Sequence, residues 1–259
     1  MGDKPEHGYW DSVAAEITPK DLSVLWRDWA DGLNSKIVRQ LLPPRCFRLL
    51  KTDAFDEAVA GGVYPALAEV ADRVVLLDVS SAVLRAASRK YGAPLAQADV
   101  RRLPFADASF DAVVSLSTLD HFRSSEQIDR ALAEVARILK PGGALVITMD
   151  NKANPLIWLR NSLSFGLLRG MKLVPYRVGA TLTSKGLVRA VRSAGFTVLA
   201  ECALVHFPRV LAVGLCKIAE RVGGRRVTWR ILSAFEAFGS MPTRNLTGHY
   251  VAVRAVKAS

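Results

Sequence analysis

Residues 74–122 read VVLLDVSSAVLRAASRKYGAPLAQADVRRLPFADASFDAVVSLSTLDHF, and this stretch decides the fold. Two mainly apolar runs, 74–77 and 112–116, stop at clusters of Asp, Ser or Thr, and a third short run, 94–98, stops at an Asp. Runs of this length are typical of strands buried on both faces, as the strands of a parallel sheet are. In an open parallel sheet, ligands bind beyond the carboxyl ends of the strands. The stretch therefore predicts a ligand pocket at Asp78, Asp99 and residues 115–121.

Strands and helices alternate along the whole chain, which favours an α/β fold with a doubly wound parallel sheet. Ser80 and Gly92 are typical start and stop signals of a helix, and Ser124 with Gln127 has the spacing of a capping box. The predicted helices are 22–41, 80–90, 124–139, 187–194 and two basic, apolar helices within 207–238 that are separated at Gly223-Gly224. The predicted strands are 46–50, 73–77, 94–98, 110–116, 144–149, 196–204 and 249–256.

These elements divide the chain into two parts. Residues 1–45 are expected to form an N-terminal helical segment whose first 20 residues are a loose entry segment. Residues 46–259 are expected to form the main domain, with a helical insertion at 205–244 before the last strand. The N-terminal helix is interpreted as covering one sheet edge, with closure of its first part over a ligand as the alternative.

The composition narrows the class of protein. Half of the residues are hydrophobic, which is enough for a core and argues against global disorder. The three cysteines follow no metal-ligand spacing, so we expect free thiols, a cytoplasmic location and no metal site. The longest nearly uncharged run, 202–216, is too short to span a bilayer. The net charge of +11 comes from dispersed basic residues, so we do not expect nucleic acid as a partner.

Two acids at strand ends carry the first chemical signals. An acid at the end of the second strand, here Asp78, can accept both ribose hydroxyls of a nucleoside-containing cofactor, although it can also simply cap a helix. Asp99, at the end of the third strand, can accept a hydrogen bond from an exocyclic amine such as that of adenine. Each acid alone is a weak signal.

Together with the motifs that surround them, these acids resemble the class I S-adenosylmethionine-dependent methyltransferases of the methyltransferase type 11 kind. The resemblance rests on Asp78-Val79-Ser80, Asp99, Leu103-Pro104-Phe105, Phe110-Asp111, Leu139-Lys140-Pro141-Gly142-Gly143 and Gly195-Phe196. It implies a Rossmann-like, seven-stranded sheet with a reversed last hairpin, S-adenosylmethionine as the cofactor, and Asp78 on the ribose with Asp99 near the adenine. The cofactor site it implies comprises Thr52, Asp53, Asp78, Val79, Asp99, Val100 and Ser117.

The chain departs from this family at the first strand. The family has a glycine-rich turn there, whereas residues 50–57 read LKTDAFDE and contain no glycine. Carboxylates at Asp53, Asp56 and Glu57 would repel a pyrophosphate but suit an ammonium and a sulfonium. The turn therefore argues strongly against NAD or FAD and only mildly against S-adenosylmethionine. Lys51, Phe55 or Glu57 filling the space of the methionine tail would exclude methyl donation.

Two further loops face the predicted pocket. Asp120 or His121 can remove a proton from a methyl acceptor, although a base helps only a hydroxyl acceptor and His121 can instead belong to the pocket wall. Asp150 and Asn151, after the fifth strand, can bind substrate hydroxyls.

We therefore expect methyl transfer from S-adenosylmethionine to an oxygen or nitrogen of a small-molecule, lipid-like or glycan-like acceptor. A methyltransferase-fold protein that serves as a binding module or catalyses another reaction is the alternative, motivated by the missing glycines. The apolar, basic helices at 205–239 pack on the sheet or contact a membrane peripherally. The sequence sets neither the acceptor nor the oligomeric state.

Overall fold

A computed structural model describes residues 7–16, 23–171, 174 and 176–258. It contains one seven-stranded sheet with the order β3-β2-β1-β4-β5-β7-β6, in which β7 runs antiparallel to both of its neighbours and the other pairs are parallel. The predicted Rossmann-like α/β fold with a reversed last hairpin is confirmed. The strands are β1 (Cys46–Lys51), β2 (Ala71–Asp78), β3 (Leu95–Gln97), β4 (Phe110–Leu116), β5 (Leu139–Asp150), β6 (Phe196–Leu204) and β7 (Tyr250–Lys257).

The helices begin and end mostly where capping residues stand. Ser80 accepts a hydrogen bond from the Val83 amide, Gly92 is left-handed with φ +64°, and Thr183 accepts from the Gly186 amide. The helices are α1 (His7–Glu16), α2 (Val24–Leu41), α3 (Phe55–Val59), α4 (Tyr64–Val70), α5 (Ser81–Tyr91), α6 (Ser125–Ile138), α7 (Pro155–Ser162), α8 (Phe165–Gly170), α9 (Ser184–Ser193), α10 (Arg209–Val222), α11 (Arg225–Phe235) and α12 (Arg244–Thr247). Within the described residues, none of these helices has the length and apolar character needed to cross a bilayer.

The sheet is buried on both faces, as its apolar runs predicted. Leu50 and Val113 pack with α6 and α9 on one face, whereas Leu49 and Val114 pack with α4 and α5 on the other. A third cluster joins α2 to α10 and α11, so the predicted N-terminal helix, observed as α2, packs against these two helices, which precede the last strand. These layers leave the carboxyl ends of the central strands open to a cavity.

Three details differ from the sequence predictions. Residues 7–16 form α1 and are not a loose entry segment, while residues 1–6, 17–20 and the predicted first helical residue, Leu22, lie outside the described residues. The Ser124 side chain makes no capping hydrogen bond, and Gln127 accepts one from the Arg123 amide instead. β5 begins at Leu139 because Leu139 pairs with Phe110 before the strand bulges at the two glycines and resumes pairing at Ala144.

Candidate active site

A cavity of about 870 Å³ lies at the carboxyl ends of the central strands. The ends of β1, β2, β4 and β5 form its floor, and residues of α1, α2, α7, α8 and α10 close it. Every predicted site residue except Asn151 lines this cavity. These residues are Thr52, Asp53, Asp78, Val79, Asp99, Val100, Ser117, Asp120, His121 and Asp150.

The glycine-free turn after β1 is held by a buried ion pair. The Lys51 ammonium lies 2.8 Å from the Glu57 carboxylate, and their side chains are 3% and 0% exposed. Glu57 also accepts a hydrogen bond from the Val63 amide at 2.9 Å. Its Oε1 would lie 2.4 Å from a Cβ at Gly62, where φ is +60°, so only glycine fits there. The prediction that Glu57 presents its carboxylate to a ligand is wrong, because the charge is neutralised behind the turn.

The other two acids of the turn lie at the cavity. Asp56 forms an ion pair with Arg27 of α2, and Asp53 accepts a hydrogen bond from the Phe55 amide at 2.8 Å. Phe55 contributes to the lining, whereas Lys51 and Glu57 do not. Lys51 and Glu57, the two longest charged side chains of the glycine-free turn, therefore leave the cavity open.

Asp78 is fixed by two backbone amides. Its carboxylate accepts from the Ser80 amide at 2.8 Å and from the Ala54 amide at 3.1 Å, which links the ends of β2 and β1. Burial, followed by the nearby Asp53 carboxylate, raises the pKa of Asp78 to about 7. The carboxyl group therefore titrates near neutral pH, and a ligand that donates hydrogen bonds to it would stabilise its ionised form.

Asp99 does not face the cavity as an isolated acid. Arg101 binds both oxygens of its carboxylate through Nε at 3.0 Å, and the Arg101 guanidinium lies 4.8 Å from the centre of the Phe122 ring. Asp99 is thus a neutralised acceptor that is oriented by a neighbouring cation. This pairing was not part of the sequence prediction.

Asp120 has one satisfied and one unsatisfied oxygen. Its Oδ2 accepts from the Asp150 amide at 3.0 Å, whereas its buried Oδ1 has no hydrogen-bond partner among the described residues. Burial, followed by the charge of Asp150, raises the pKa of Asp120 to about 6. A carboxylate in this state is mostly ionised at neutral pH and retains a free acceptor position.

His121 belongs to an aromatic wall. Its ring packs edge-to-face on Trp10 of α1 at 4.8 Å and on Tyr176 at 5.2 Å between ring centres. Its Nδ1 is buried with no hydrogen-bond partner among the described residues. The geometry therefore suits the wall role that the sequence left open.

Asp150 and Asn151 have different surroundings. Asp150 pairs with Arg160 at 2.6 Å and with His249 at 3.4 Å. Burial alone would raise the pKa of Asp150, but His249 and Arg160 hold it well below its usual range. Asn151 is wholly buried and donates to the carbonyls of Asn245 at 2.7 Å and Gly248 at 3.0 Å, so the structure contradicts its predicted contact with substrate.

Sequence reasoning missed the polar group that closes the far end of the cavity. The Arg209 guanidinium donates to the Tyr250 hydroxyl at 2.8 Å and is hydrogen-bonded to Tyr176. Arg209 is the first residue of α10 and Tyr250 the first residue of β7. The sequence pattern predicts that Arg209 lies on a helix and Tyr250 on a strand, but it does not indicate that the two side chains meet. The only nearby feature in the sequence is that Arg209 directly follows Pro208.

Comparison with known proteins decides the family. A family model of a methyltransferase domain matches residues 58–147. A probable S-adenosylmethionine-dependent methyltransferase of Mycobacterium tuberculosis (strain ATCC 25618 / H37Rv) is 30% identical over 178 residues, which cover 68% of this chain and 58% of the relative. A demethylmenaquinone methyltransferase of Thermobifida fusca (strain YX) is 33% identical over 146 residues, or 48% of this chain and 60% of the relative.

The chain belongs to the class I S-adenosylmethionine-dependent methyltransferases. The predicted family and the cofactor of that family are confirmed. The family match begins at residue 58, directly after the glycine-free turn. The chain spans about 58% of the length of the mycobacterial methyltransferases that it matches.

Solved structures share the methyltransferase fold. The [4+2]-cyclase SpnF aligns with a TM-score of 0.59 and 22% identity, over 98% of this chain and 93% of its own. A possible histamine N-methyltransferase from Thermotoga maritima aligns with a TM-score of 0.57 and 18% identity, over 90% of this chain and 91% of its own. These identities establish the fold alone, and a fold that includes a cyclase does not by itself fix the reaction.

In this member of the family, the strand order separates two groups of polar residues. Asp78 ends β2 and Asp150 ends β5, three strand spacings away, which is about 14 Å. The β1–β2 half of the cavity contains Asp53 and Asp78, and the β4–β5–β7 half contains Asp120 and Arg209. The two halves meet at the end of β4, where Thr118 Oγ1 lies 3.1 Å from Thr52 Oγ1.

Proposed function

We propose that the chain transfers a methyl group from S-adenosylmethionine to an oxygen or nitrogen atom of an acceptor in the β4–β5–β7 half. The observation that carries the proposal is the burial of Lys51 and Glu57 as a pair, which leaves the β1–β2 half of the cavity open to the cofactor. A cavity of about 870 Å³ is within the range of small-molecule sites.

The residues of the β1–β2 half suit this cofactor. Asp78 would accept hydrogen bonds from the ribose hydroxyls, and Asp99 and Val100 would lie at the adenine. Asp53 and Thr52 would hold the ammonium of the methionine end, with Val79 and Ser117 lining the space between. The bound cofactor supplies an electrophilic methyl group on a sulfonium, which carboxylates nearby stabilise.

Asp120 is the residue best placed to take a proton from a hydroxyl acceptor. Its Oδ1 is buried without a partner among the described residues, and its raised pKa of about 6 makes it a stronger base than an ordinary aspartate while it remains ionised at neutral pH. His121, with its unpartnered Nδ1, is the second candidate. Asp150 would act on the acceptor indirectly, because Arg160 and His249 already hold its carboxylate.

Isothermal titration calorimetry with S-adenosylmethionine tests the proposal. The wild-type protein is expected to bind, Asp78→Ala to lose most of the affinity, and Asp129→Ala, which removes an exposed acid of α6, to bind like the wild type. Product mass spectrometry should then show an acceptor heavier by one methyl group. Absence of binding by the wild-type chain would overturn the proposal.

A second candidate is a reaction other than methyl transfer on the same fold. The glycine-free turn and the structural similarity to a [4+2]-cyclase favour keeping this alternative. It predicts cofactor binding without any acceptor that gains mass. A single methylated product with turnover would dismiss it.

A lipid-like acceptor and peripheral membrane contact are supported by α10 and α11. Leu211, Ile218 and Val222 occupy one face of α10 and are 62%, 58% and 75% exposed. The exposed basic residues on these helices are Lys217, Arg221, Arg225, Arg226 and Arg230. Apolar side chains flanked by cations suit an anionic membrane surface.

Sedimentation with vesicles tests this contact. The wild-type protein is expected to sediment with phosphatidylglycerol-containing vesicles and not with phosphatidylcholine vesicles. Leu211→Asn combined with Val222→Asn should release it, whereas Leu199→Asn, at an exposed position of β6, should not. Equal sedimentation of both variants would contradict a docking role of α10.

A further inference from the structure

We propose that the acceptor carries an anionic group, a carboxylate or a phosphate, which Arg209 binds between Tyr176 and Tyr250. This inference rests on the proposed methyl transfer and specifies the class of its acceptor. It starts from Arg209, a cation that lies in the β4–β5–β7 half of the cavity and has no role in the proposed cofactor site.

Arg209 differs from the other cations of the site in its partners. Arg160 is matched by Asp150 at 2.6 Å, and Arg27 is paired with Asp56. Among the described residues, no carboxylate lies within ion-pairing distance of the Arg209 guanidinium, whose hydrogen-bond partners are two tyrosine hydroxyls. Phenols are neutral at physiological pH. The Asp150 carboxylate acts on the Arg209 charge from beyond ion-pairing distance, but it is already paired with Arg160 and His249, so Arg209 has no ion-pair partner of its own among the described residues.

The tyrosines stay neutral in this environment. Burial raises the pKa of both Tyr176 and Tyr250 above the ordinary phenol value, although Arg209 opposes the shift. Each hydroxyl therefore remains a dipole that orients the guanidinium and does not neutralise it. A guanidinium held in this way retains donors for a carboxylate or phosphate.

Arg209 lies far from the β1–β2 half of the cavity, where the cofactor is proposed to bind. Tyr250 begins β7, which lies four strand spacings from β2 in the sheet order, or about 19 Å from the strand of Asp78. The nearer titratable groups are Asp120 and Asp150 on the neighbouring strand ends. An anion bound at Arg209 is thus an acceptor group and not the carboxylate of the cofactor.

The surroundings describe the rest of the acceptor. Trp10, His121 and Tyr176 form a continuous aromatic wall, with ring centres 4.8 to 5.8 Å apart. Such a wall suits a flat or apolar body between the anionic group and the reacting atom. The free Oδ1 of Asp120 lies in the same half of the cavity for a hydroxyl of that body.

Binding of matched probes tests the inference without turnover. Benzoate, phenyl phosphate and the neutral analogue benzyl alcohol are titrated into the protein, alone and saturated with S-adenosylhomocysteine. We expect one or both anions to bind about tenfold or more tightly than benzyl alcohol, a preference that falls with added salt. Their order distinguishes a carboxylate from a phosphate.

Three variants assign the preference to a residue. Arg209→Met should bring anion and alcohol affinities within about twofold, and Arg209→Lys should retain part of the preference because it keeps the charge without the fork. Arg221→Met removes an exposed cation of the same helix and should change nothing. Thermal unfolding of each variant shows that the comparison is made on folded protein.

The outcomes are distinct. Equal binding of anions and benzyl alcohol by the wild type, or a preference that survives Arg209→Met, overturns the inference. A large loss of S-adenosylmethionine affinity in Arg209→Met also overturns it, since Arg209 would then serve the cofactor. An anion preference in a protein that binds no S-adenosylmethionine supports the anion site while the proposed methyl transfer fails.

Discussion

The ammonium of Lys51 and the carboxylate of Glu57 lie 2.8 Å apart in a nearly solvent-free space behind the turn that follows β1. Burial alone would lower the pKa of Lys51, but the charges of Glu57 and its acidic neighbours raise it, so the lysine stays protonated. The pair fixes the turn from inside, in a segment that lacks the glycines of the family.

Removing one member of this pair should destabilise the fold. Lys51→Met leaves the Glu57 carboxylate buried and uncompensated, and we expect a loss of about 3–5 kcal/mol in the free energy of unfolding. Urea unfolding followed by circular dichroism measures it. Glu57→Gln keeps the acceptor for the Val63 amide, so combining it with Lys51→Met should recover most of the loss.

A matched control is available on the surface. Arg39 pairs with Glu69 at 2.6 Å with both side chains about half exposed, and Arg39→Met should shift the urea midpoint far less. Similar losses for Lys51→Met and Arg39→Met would contradict a structural role of the buried pair.

Cofactor binding should release a proton from Asp78. The pKa of Asp78 is about 7 without a ligand, and hydroxyl donors favour its ionised form, so its pKa falls on binding. Below about pH 7, formation of the complex therefore releases a proton. The affinity for the cofactor should rise as the pH approaches 7 and level off above it. Calorimetry at pH 6 in two buffers of different ionisation enthalpy measures the release.

Asp78→Asn should abolish this proton release and weaken binding. Asp53, whose pKa is also raised by burial, is the other candidate source. Asp53→Asn is therefore run in parallel and should retain most of the release. Undiminished release by Asp78→Asn would place the proton elsewhere.

Asp120→Asn should slow transfer to a hydroxyl acceptor by about 10²–10⁴-fold, because the base is lost while the amide oxygen still accepts from the Asp150 backbone. With the cofactor saturating, kcat of the wild type should rise through pH about 6, the pKa of Asp120, and the variant should lack this limb. A nitrogen acceptor should be far less affected. An unchanged kcat with a hydroxyl acceptor would move the role to His121.

The same substitution has a stability signature with a definite sign. The folded-state pKa of Asp120 is about 6 against an ordinary 3.8, so the folded protein binds its proton more tightly. The stability from this group is complete below pH about 4 and is lost as the pH rises through about 6. The carboxamide introduced by Asp120→Asn has no proton to lose in this range, so the variant should gain stability relative to the wild type as the pH increases. Urea midpoints of both proteins between pH 4 and 7 measure the difference, and a constant difference would contradict the raised pKa.

Asn151→Ala should affect folding and not acceptor affinity. Its carboxamide bonds the carbonyls of residues 245 and 248 and accepts from the Ala153 amide at 3.0 Å. Loss of these partners should cost about 1–3 kcal/mol of unfolding free energy. The acceptor KM should stay within about twofold, and a large rise in KM with unchanged stability would restore Asn151 as a substrate ligand.

The sheet was predictable because its signals are local. Buried parallel strands are continuous apolar runs that stop at a polar residue, as 73–77 stops at Asp78 and 110–116 at Ser117. α1 was not predicted because its short polar sequence has a weak apolar face. The cavity lies at the predicted edge of the sheet, because parallel strands bring their carboxyl ends to one edge.

The side-chain partners were not predictable in the same way. Arg209, Tyr176 and Tyr250 are far apart in sequence, and their meeting depends on how α10 docks on β7. The charge of Glu57 was assigned to the ligand because sequence shows an acid at the turn but not that Lys51 lies behind it. Asn151 was assigned to substrate because it follows Asp150, although adjacent residues point in opposite directions.

The paired charges behind the first turn also constrain how this chain can diversify. Either residue changed to glycine on its own leaves its partner buried without its ion pair, so a single glycine at this turn should fold poorly. Relatives that keep one of these two charges are therefore expected to keep the other.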